Sequence, residues 1–324
     1  MFANVLVVIL SLVGAISAQQ WQLLETEEGA IQARHEAEYV EVGGKFYLVG
    51  GRGDRELNIY DPDADTWTTG AKPPEQVHHF QGLAYEGELW LAGAFTGGYP
   101  AETPYPNFLI YNPEKDEWRM GPEIERPRGA AGFVLHEEKM YLVCGILNGH
   151  IDGHVAWTDC FDPKTGVWTQ LADAPRARDH FRSVVIDGKI FNAAGRRTIK
   201  DSKPHGPFGN CVAEVDVYSI ADNSWETLPV ESNIPTPRAG NMACNVEGKL
   251  VVAGGESPAT AKAHKEVEVL DPASPFWITL PPLKQGRHGS GIIYYGGKIW
   301  IASGSGGRGG GPELTTHECC EVPF

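Results

Sequence analysis

Five tryptophans, Trp67, Trp118, Trp168, Trp225 and Trp277, recur at intervals of 51, 50, 57 and 52 residues. A period of about fifty constrains the fold before composition is considered, because a unit repeated in tandem buries its apolar faces chiefly against its neighbours. Seven residues before each Trp stands Tyr60, Tyr111, Phe161, Tyr218 or Leu270, with turn chemistry such as Asp61-Pro62-Asp63 between, which marks a hairpin. Upstream, each unit carries a small pair closing an apolar stretch: Gly50-Gly51, Gly93-Ala94, Cys144-Gly145, Ala194-Gly195, Gly254-Gly255 and Ser303-Gly304. Six residues before the pair come Gly44, Gly87, Glu138, Gly188, Gly248 and Gly297, which fit a second tight turn. Sixteen residues before it come Arg34, Val77, Arg128, Arg178, Arg238 and Arg287, a register kept in all six units.

Each unit therefore reads as four short strands: one after the Arg, one ending at the small pair, one ending at the aromatic and one starting at Trp. Period-two alternation in Lys45-Phe46-Tyr47-Leu48-Val49 supports the second. The sixth unit has no Trp strand of its own, and Trp21-Gln22-Leu23-Leu24 matches Trp225-Glu226-Thr227-Leu228. An N-terminal strand completing the last unit, paired with the segment Glu318 to Val322, would close the array and remove its exposed edges. The expected fold is all-β, a single six-bladed propeller over residues 19–324 with four antiparallel strands per blade. The small pair, the aromatic, the Trp seven residues on and the period resemble kelch repeats from Trp21 to Phe324. That resemblance extends at repeat level to the central domains of secreted copper oxidases acting on galactose and to six-bladed sialic acid epimerases. It implies either an adaptor that binds protein segments or an enzyme acting on sugars.

The 42 Asp and Glu against 27 Lys and Arg, a formal charge of -15, make nucleic acid and anionic membranes unsuitable partners. Residues 1–18 carry an uncharged apolar run ending Ala15-Ile16-Ser17-Ala18, which reads as a secretory signal peptide, leaving a soluble extracellular product. In that compartment the six cysteines, Cys144, Cys160, Cys211, Cys244, Cys319 and Cys320, are expected to form one or two disulfides beside buried thiols. Asn-x-Ser/Thr acceptors are absent.

Function is sought where the repeats differ. The segments at the repeated Arg read Arg34-His35-Glu36, Val77-His78-His79, Arg128-Gly129-Ala130, Arg178-Asp179-His180, Arg238-Ala239-Gly240 and Arg287-His288-Gly289. They share one face with the loops after the small pairs, so Arg34, His35, Glu36, His78, His79, Arg128, Arg178, His180, Arg238, Arg287 and His288 are expected to surround a binding site at the propeller mouth. Such a site suits a small acidic ligand, a glycan or a protein segment. The alternative is a sugar-acid epimerase or lyase in which a His or Glu36 moves a proton while Arg holds a carboxylate. A competing reading makes each Arg a strut between blades. His150, Asp152 and His154 have an alternating spacing compatible with metal ligands, but no fourth ligand accompanies them, and neither a metal nor another cofactor is assigned. The glycine run Gly306 to Gly311 lacks the strand and helix of a phosphate loop and reads as a flexible surface loop.

Overall fold

The computed structural model describes residues 20–25, 29–322 and 324. The segment expected to be a signal peptide lies outside them. Six four-stranded antiparallel sheets are arranged as blades; five run in sequence order from inner to outer strand, and the sixth takes its outer strand from the N-terminal end of the chain. In the first blade these strands are Ala37–Val42, Lys45–Gly50, Leu57–Asp61 and Thr66–Gly70. Inner strands Gln81–Tyr85, Gly132–His136, Arg182–Ile186, Met242–Val246 and Ile293–Tyr295 begin the others. Among the described residues, no helix is long and apolar enough to cross a membrane.

The seven-residue spacing is a cross-strand pair. Tyr60 lies opposite Trp67, Tyr111 opposite Trp118, Phe161 opposite Trp168, Tyr218 opposite Trp225 and Leu270 opposite Trp277. The indoles also tie blades together. Trp118, Trp168, Trp225 and Trp277 donate through Nε1 to the carbonyls of Ala71, Glu123, Ala172 and Ser232, at or just beyond the outer strand of the preceding blade. Trp21 makes the same bond to Pro281, at 3.0 Å, although it comes from the other end of the chain. It leads into Gln22–Leu24, which pairs with His317 to Cys319 as the outer strand of the sixth blade. The closure expected from the sequence is therefore present.

The small pairs answer two constraints. The first member has positive φ in every blade, between 53° at Cys144 and 67° at Gly93, a conformation that favours short side chains or none. The second approaches the backbone near the repeated Arg: a Cβ on Gly145 would stand 2.9 Å from the Gly129 carbonyl oxygen.

The five repeated arginines are struts, but within blades. All are fully buried. Each guanidinium donates to carbonyls at the end of its own second strand, as Arg238 does to Gly254 and Val252 and Arg178 to Asn192 and Ala194. Each also reaches a buried acceptor two residues before the repeated aromatic position: Asn58, Asp159, Asp216, Glu268 or Glu318. In the second blade, where Val77 replaces Arg, that acceptor position holds Leu109, and the two pack in one apolar cluster. The polar pair and the apolar pair are alternative fillings of one interior site.

The expected disulfides are not formed: all six cysteines are free thiols. Cys160 lies opposite Tyr141, three residues along the ladder from Cys144, a separation of roughly 10 Å that exceeds bridging distance. Cys319 and Cys320 are neighbours on one strand and project to opposite faces of it.

Two measurements check this architecture. Arg238→Val leaves the Glu268 carboxylate buried without its cation and should lower unfolding stability by about 3 to 5 kcal/mol. Adding Glu268→Leu, which recreates the Val77 and Leu109 arrangement, should recover much of that loss in urea unfolding; a double variant as unstable as the sum of both single changes would contradict it. A chain starting at Gly29 loses the closing strand and the Trp21 contact, and should melt far lower or fail to fold, with an expected loss of about 3 to 5 kcal/mol. Melting unchanged from the full chain would exclude the closure.

Candidate functional site

Two residues beyond the repeated Arg, the chain reaches the propeller axis. Glu36, His79, Ala130, His180, Gly240 and Gly289 occupy this position in blades one to six, all with φ between 51° and 65°. Their backbones are linked in a ring: His79 N–H donates to Glu36 O at 3.0 Å, Ala130 to His79 at 2.8 Å, His180 to Ala130 at 3.0 Å, Gly240 to His180 at 2.7 Å and Gly289 to Gly240 at 2.9 Å. Ala37 N–H closes it onto Gly289 O at 3.1 Å. Three ring members, in blades one, two and four, carry reactive side chains and three are the smallest residues available, so a carboxylate and two imidazoles stand around the axis with room left between them.

Above the ring lies a cavity of about 330 Å³. Its floor and walls include Glu36, His79 and His150, and its rim carries Tyr99 and Phe208. Arg52 and Arg196 enter it from the position immediately after the small pair, paired with the Glu102 and Glu256 carboxylates respectively, the latter at 2.6 Å. Gly309 and Gly310 also line it, and Gly309 donates its N–H to Glu256 and accepts from His288 Nε2, each at 2.8 Å. The glycine run thus forms part of the cavity wall and is more than a surface loop.

Of the residues expected at the mouth, His35, Glu36 and His79 line the cavity. His180 lies beneath it, with Nε2 3.0 Å from His150 Nε2, and His288 sits 3.5 Å from both Glu36 and Glu256. His78 stands behind His79, its Nδ1 2.6 Å from the Nδ1 of that neighbour and its Nε2 3.0 Å from the Gly97 carbonyl. Arg34, Arg128, Arg178, Arg238 and Arg287 do not reach the cavity, because their guanidiniums are consumed by carbonyls and acceptors inside the blades. The trio of His150, Asp152 and His154 is also divided. His150 is buried at the cavity, whereas Asp152 is exposed and accepts from Asn148.

Sequence reasoning passed over Arg52, Tyr99, Glu102, Arg196, Phe208 and Glu256. A signal for three of them was available: the residue after each small pair is Arg52, Phe95, Ile146, Arg196, Glu256 or Ser305, a position as chemically varied as the one beyond the Arg. Tyr99, Glu102 and Phe208 stand on irregular loops, whose course no repeat determines.

Burial sets the protonation of this floor. It pushes His78 and His180 down to about 4, reinforced by the charge of Arg52 on the first and Arg196 on the second. It also drives His79 well below the ordinary imidazole value, aided by His78, His180 and His150. Burial acts upward on Glu256, but His288, Arg196 and the Gly309 N–H outweigh it and hold the carboxyl down at about 2. Glu102 is depressed in the same way, where burial is overcome by His150 and Arg52. The imidazoles of His78, His79 and His180 are therefore neutral near pH 7, and the cavity lining sets the guanidiniums of Arg52 and Arg196 beside the carboxylates of Glu36 and Glu256, with Glu102 and Asp179 behind them. The mouth is lined by paired charges of both signs in place of the repeated arginines.

Six four-stranded blades built on the Arg, small-pair and Trp register define a kelch-type six-bladed β-propeller. The chain belongs to the Attractin/LZTR1 beta-propeller family, whose profile matches residues 10–267. It is 25% identical over 310 residues to the kelch-like protein terF of Aspergillus terreus, and 28% identical over 219 residues to beta-scruin of Limulus polyphemus. It spans 64% of the former and 23% of the latter, less than two thirds of either. A protein of Thlaspi arvense named N-(sulfonatooxy)prop-2-enimidothioate sulfolyase is 22% identical, with 92% of both chains aligned. Among solved structures, YjhT superposes with a TM-score of 0.75 at 17% identity, covering 93% of this chain and 97% of that one, a likeness of fold.

Proposed function

We propose that this propeller is a binding module that captures a small polar ligand in the mouth cavity, and that the ligand is a sugar unit of a glycan. The observation that carries the reading is the construction of the cavity. Arg52 with Glu102 and Arg196 with Glu256 offer planar donors and acceptors already held in place, while Tyr99, 55% exposed, and Phe208 supply aromatic faces at the rim. Hydroxyl-rich rings are recognised by such a mixture of fixed polar groups and apolar faces, and a cavity near 330 Å³ falls at the small end of ligand sites. An acidic ligand is less well served, since both mouth arginines are already neutralised by carboxylates. Secretion, expected from the amino-terminal segment, would place the module among extracellular glycans.

A second reading keeps an enzyme at the same cavity, a lyase or epimerase. The full-length relative named a sulfolyase favours it, as does the Glu36 carboxylate 3.3 Å from His79 Nε2. The purified protein screened on a glycan array, followed by titration calorimetry with the best sugar, separates the two. Binding without turnover, weakened at least about tenfold by Tyr99→Ala with Phe208→Ala at unchanged melting temperature, is the expected result. Conversion of the bound sugar would favour the enzyme, and no glycan binding would remove the capture reading.

A further inference from the structure

We infer that His79, His150 and His180 form a three-histidine centre for a divalent transition metal of the zinc class at the base of the mouth cavity. Their ligand-capable nitrogens lie within 4.8 Å of one another, and all three residues are buried. They come from three different blades: His79 and His180 from the axial ring, His150 from the loop after the third small pair. This convergence rests on the scaffold alone and stands apart from the identity of any ligand in the cavity.

The neighbours of each imidazole decide which nitrogen is free. His180 Nδ1 is 2.5 Å from the Asp179 carboxylate and therefore carries the proton, which leaves Nε2 as a lone pair. His150 Nδ1 is 2.9 Å from Glu102 Oε1, within donor distance of a carboxylate that can only accept, so this nitrogen too carries the proton. His78 Nε2 must donate to the Gly97 carbonyl, so neutral His78 presents an Nδ1 acceptor, and His79 Nδ1–H donates to it across 2.6 Å. In all three residues the outer nitrogen is protonated and Nε2 is left as a donor of electrons.

Two of these Nε2 atoms face each other, and the third faces a carboxylate. The His150 and His180 pair is 3.0 Å apart, and His79 Nε2 is 3.3 Å from Glu36 Oε2. Lone pairs brought this close in a buried site are stabilised by a cation placed between them. Carboxylates or a second imidazole behind each ligand are the outer shell that orients metal-binding histidines and strengthens them as donors. Imidazole-only ligation suits zinc and its neighbours in the transition series, and three protein ligands leave a coordination position open. Because His79 and His150 line the cavity, that position and the Glu36 carboxylate would both face whatever the cavity holds. The carboxylates of Glu36, Glu102 and Asp179, each beside one of the three imidazoles, favour a cation as well.

The test uses the full-length protein as purified, stripped with a chelator, and Zn²⁺ and Co²⁺ as probes. Titration calorimetry should show one equivalent of Zn²⁺ per chain, and Co²⁺ should give the visible absorption of a low-coordinate nitrogen site. His180→Ala should abolish the stoichiometric binding while the protein stays folded, because Ala130 already occupies the equivalent ring position with the same backbone conformation. His150→Ala, on a loop, provides an independent loss of one ligand. Glu102→Gln should weaken binding by about 10- to 100-fold through its effect on His150. His154→Ala, outside the cluster, should change nothing. Absence of zinc uptake would mean that the imidazoles share a proton instead, and uptake retained in both His180→Ala and His150→Ala would place the ion elsewhere; either result overturns the assignment.

Discussion

Backbone hydrogen bonds around the axis govern the rest of this molecule. Six chain segments from six blades meet there with φ near 55°, and each of five ring N–H groups is satisfied by the carbonyl of the preceding blade, with Ala37 completing the circle. A buried N–H left unpaired is destabilising, so blades cannot shift independently without opening the ring. The second residue of the small pair makes a parallel set of bonds: Gly51, Gly145, Gly195, Gly255 and Gly304 donate to the carbonyls of Val77, Arg178, Arg238, Arg287 and Arg34 in the next blade. Arg side chains then lock each of these turns to the interior of its own blade. The N-terminal strand makes the circle of blades complete, and Trp21 repeats the indole bond found at the other outer strands.

Function is available to the sequence because the scaffold demands so little of the ring side chains. The backbone conformation at this position is held by Glu36, His79, Ala130, His180, Gly240 and Gly289 alike. Side-chain chemistry there is free to vary, and the presence of Ala and Gly beside large polar residues makes both the functional groups and the room they need. The same holds one position past the small pair, where Arg52, Arg196 and Glu256 occupy places filled elsewhere by Phe95 and Ile146. Paired charges at these sites, Arg52 with Glu102 and Arg196 with Glu256, fix the walls around the imidazole floor.

The architecture was legible because each repeat restates it. Trp67 lies opposite Tyr60 and Trp225 opposite Tyr218, so a spacing in the chain became a contact in space. The site was legible only in part. His79 and His180 could be placed near the axis by their register, and they are there. Arg178 and Arg287 shared that register yet stay inside the blades, because the chain turns to the axis only two residues later, at the left-handed positions His180 and Gly289. Their partners Asp216 and Glu318 hold the same relation to the repeated aromatic position, and the replacement of both members by Val77 and Leu109 in one blade was the sequence clue that the arginines belong to the interior. His150 was associated with its loop neighbours Asp152 and His154 because proximity along the chain was the only guide, whereas its contacts come from Glu102 and His180 in other blades. The cysteines were read from their number and compartment; their separation by strand register could not be seen before the ladders were known.

Native-state hydrogen exchange at the axial amides measures the ring directly. The account predicts that the N–H groups of His79, Ala130, His180, Gly240 and Gly289 exchange only through global unfolding, with a protection free energy equal to that of the whole domain and the same dependence on denaturant. Rapid exchange of these amides, with little dependence on denaturant while the outer strands stay protected, would contradict it, because the blades would then be held in place without the ring.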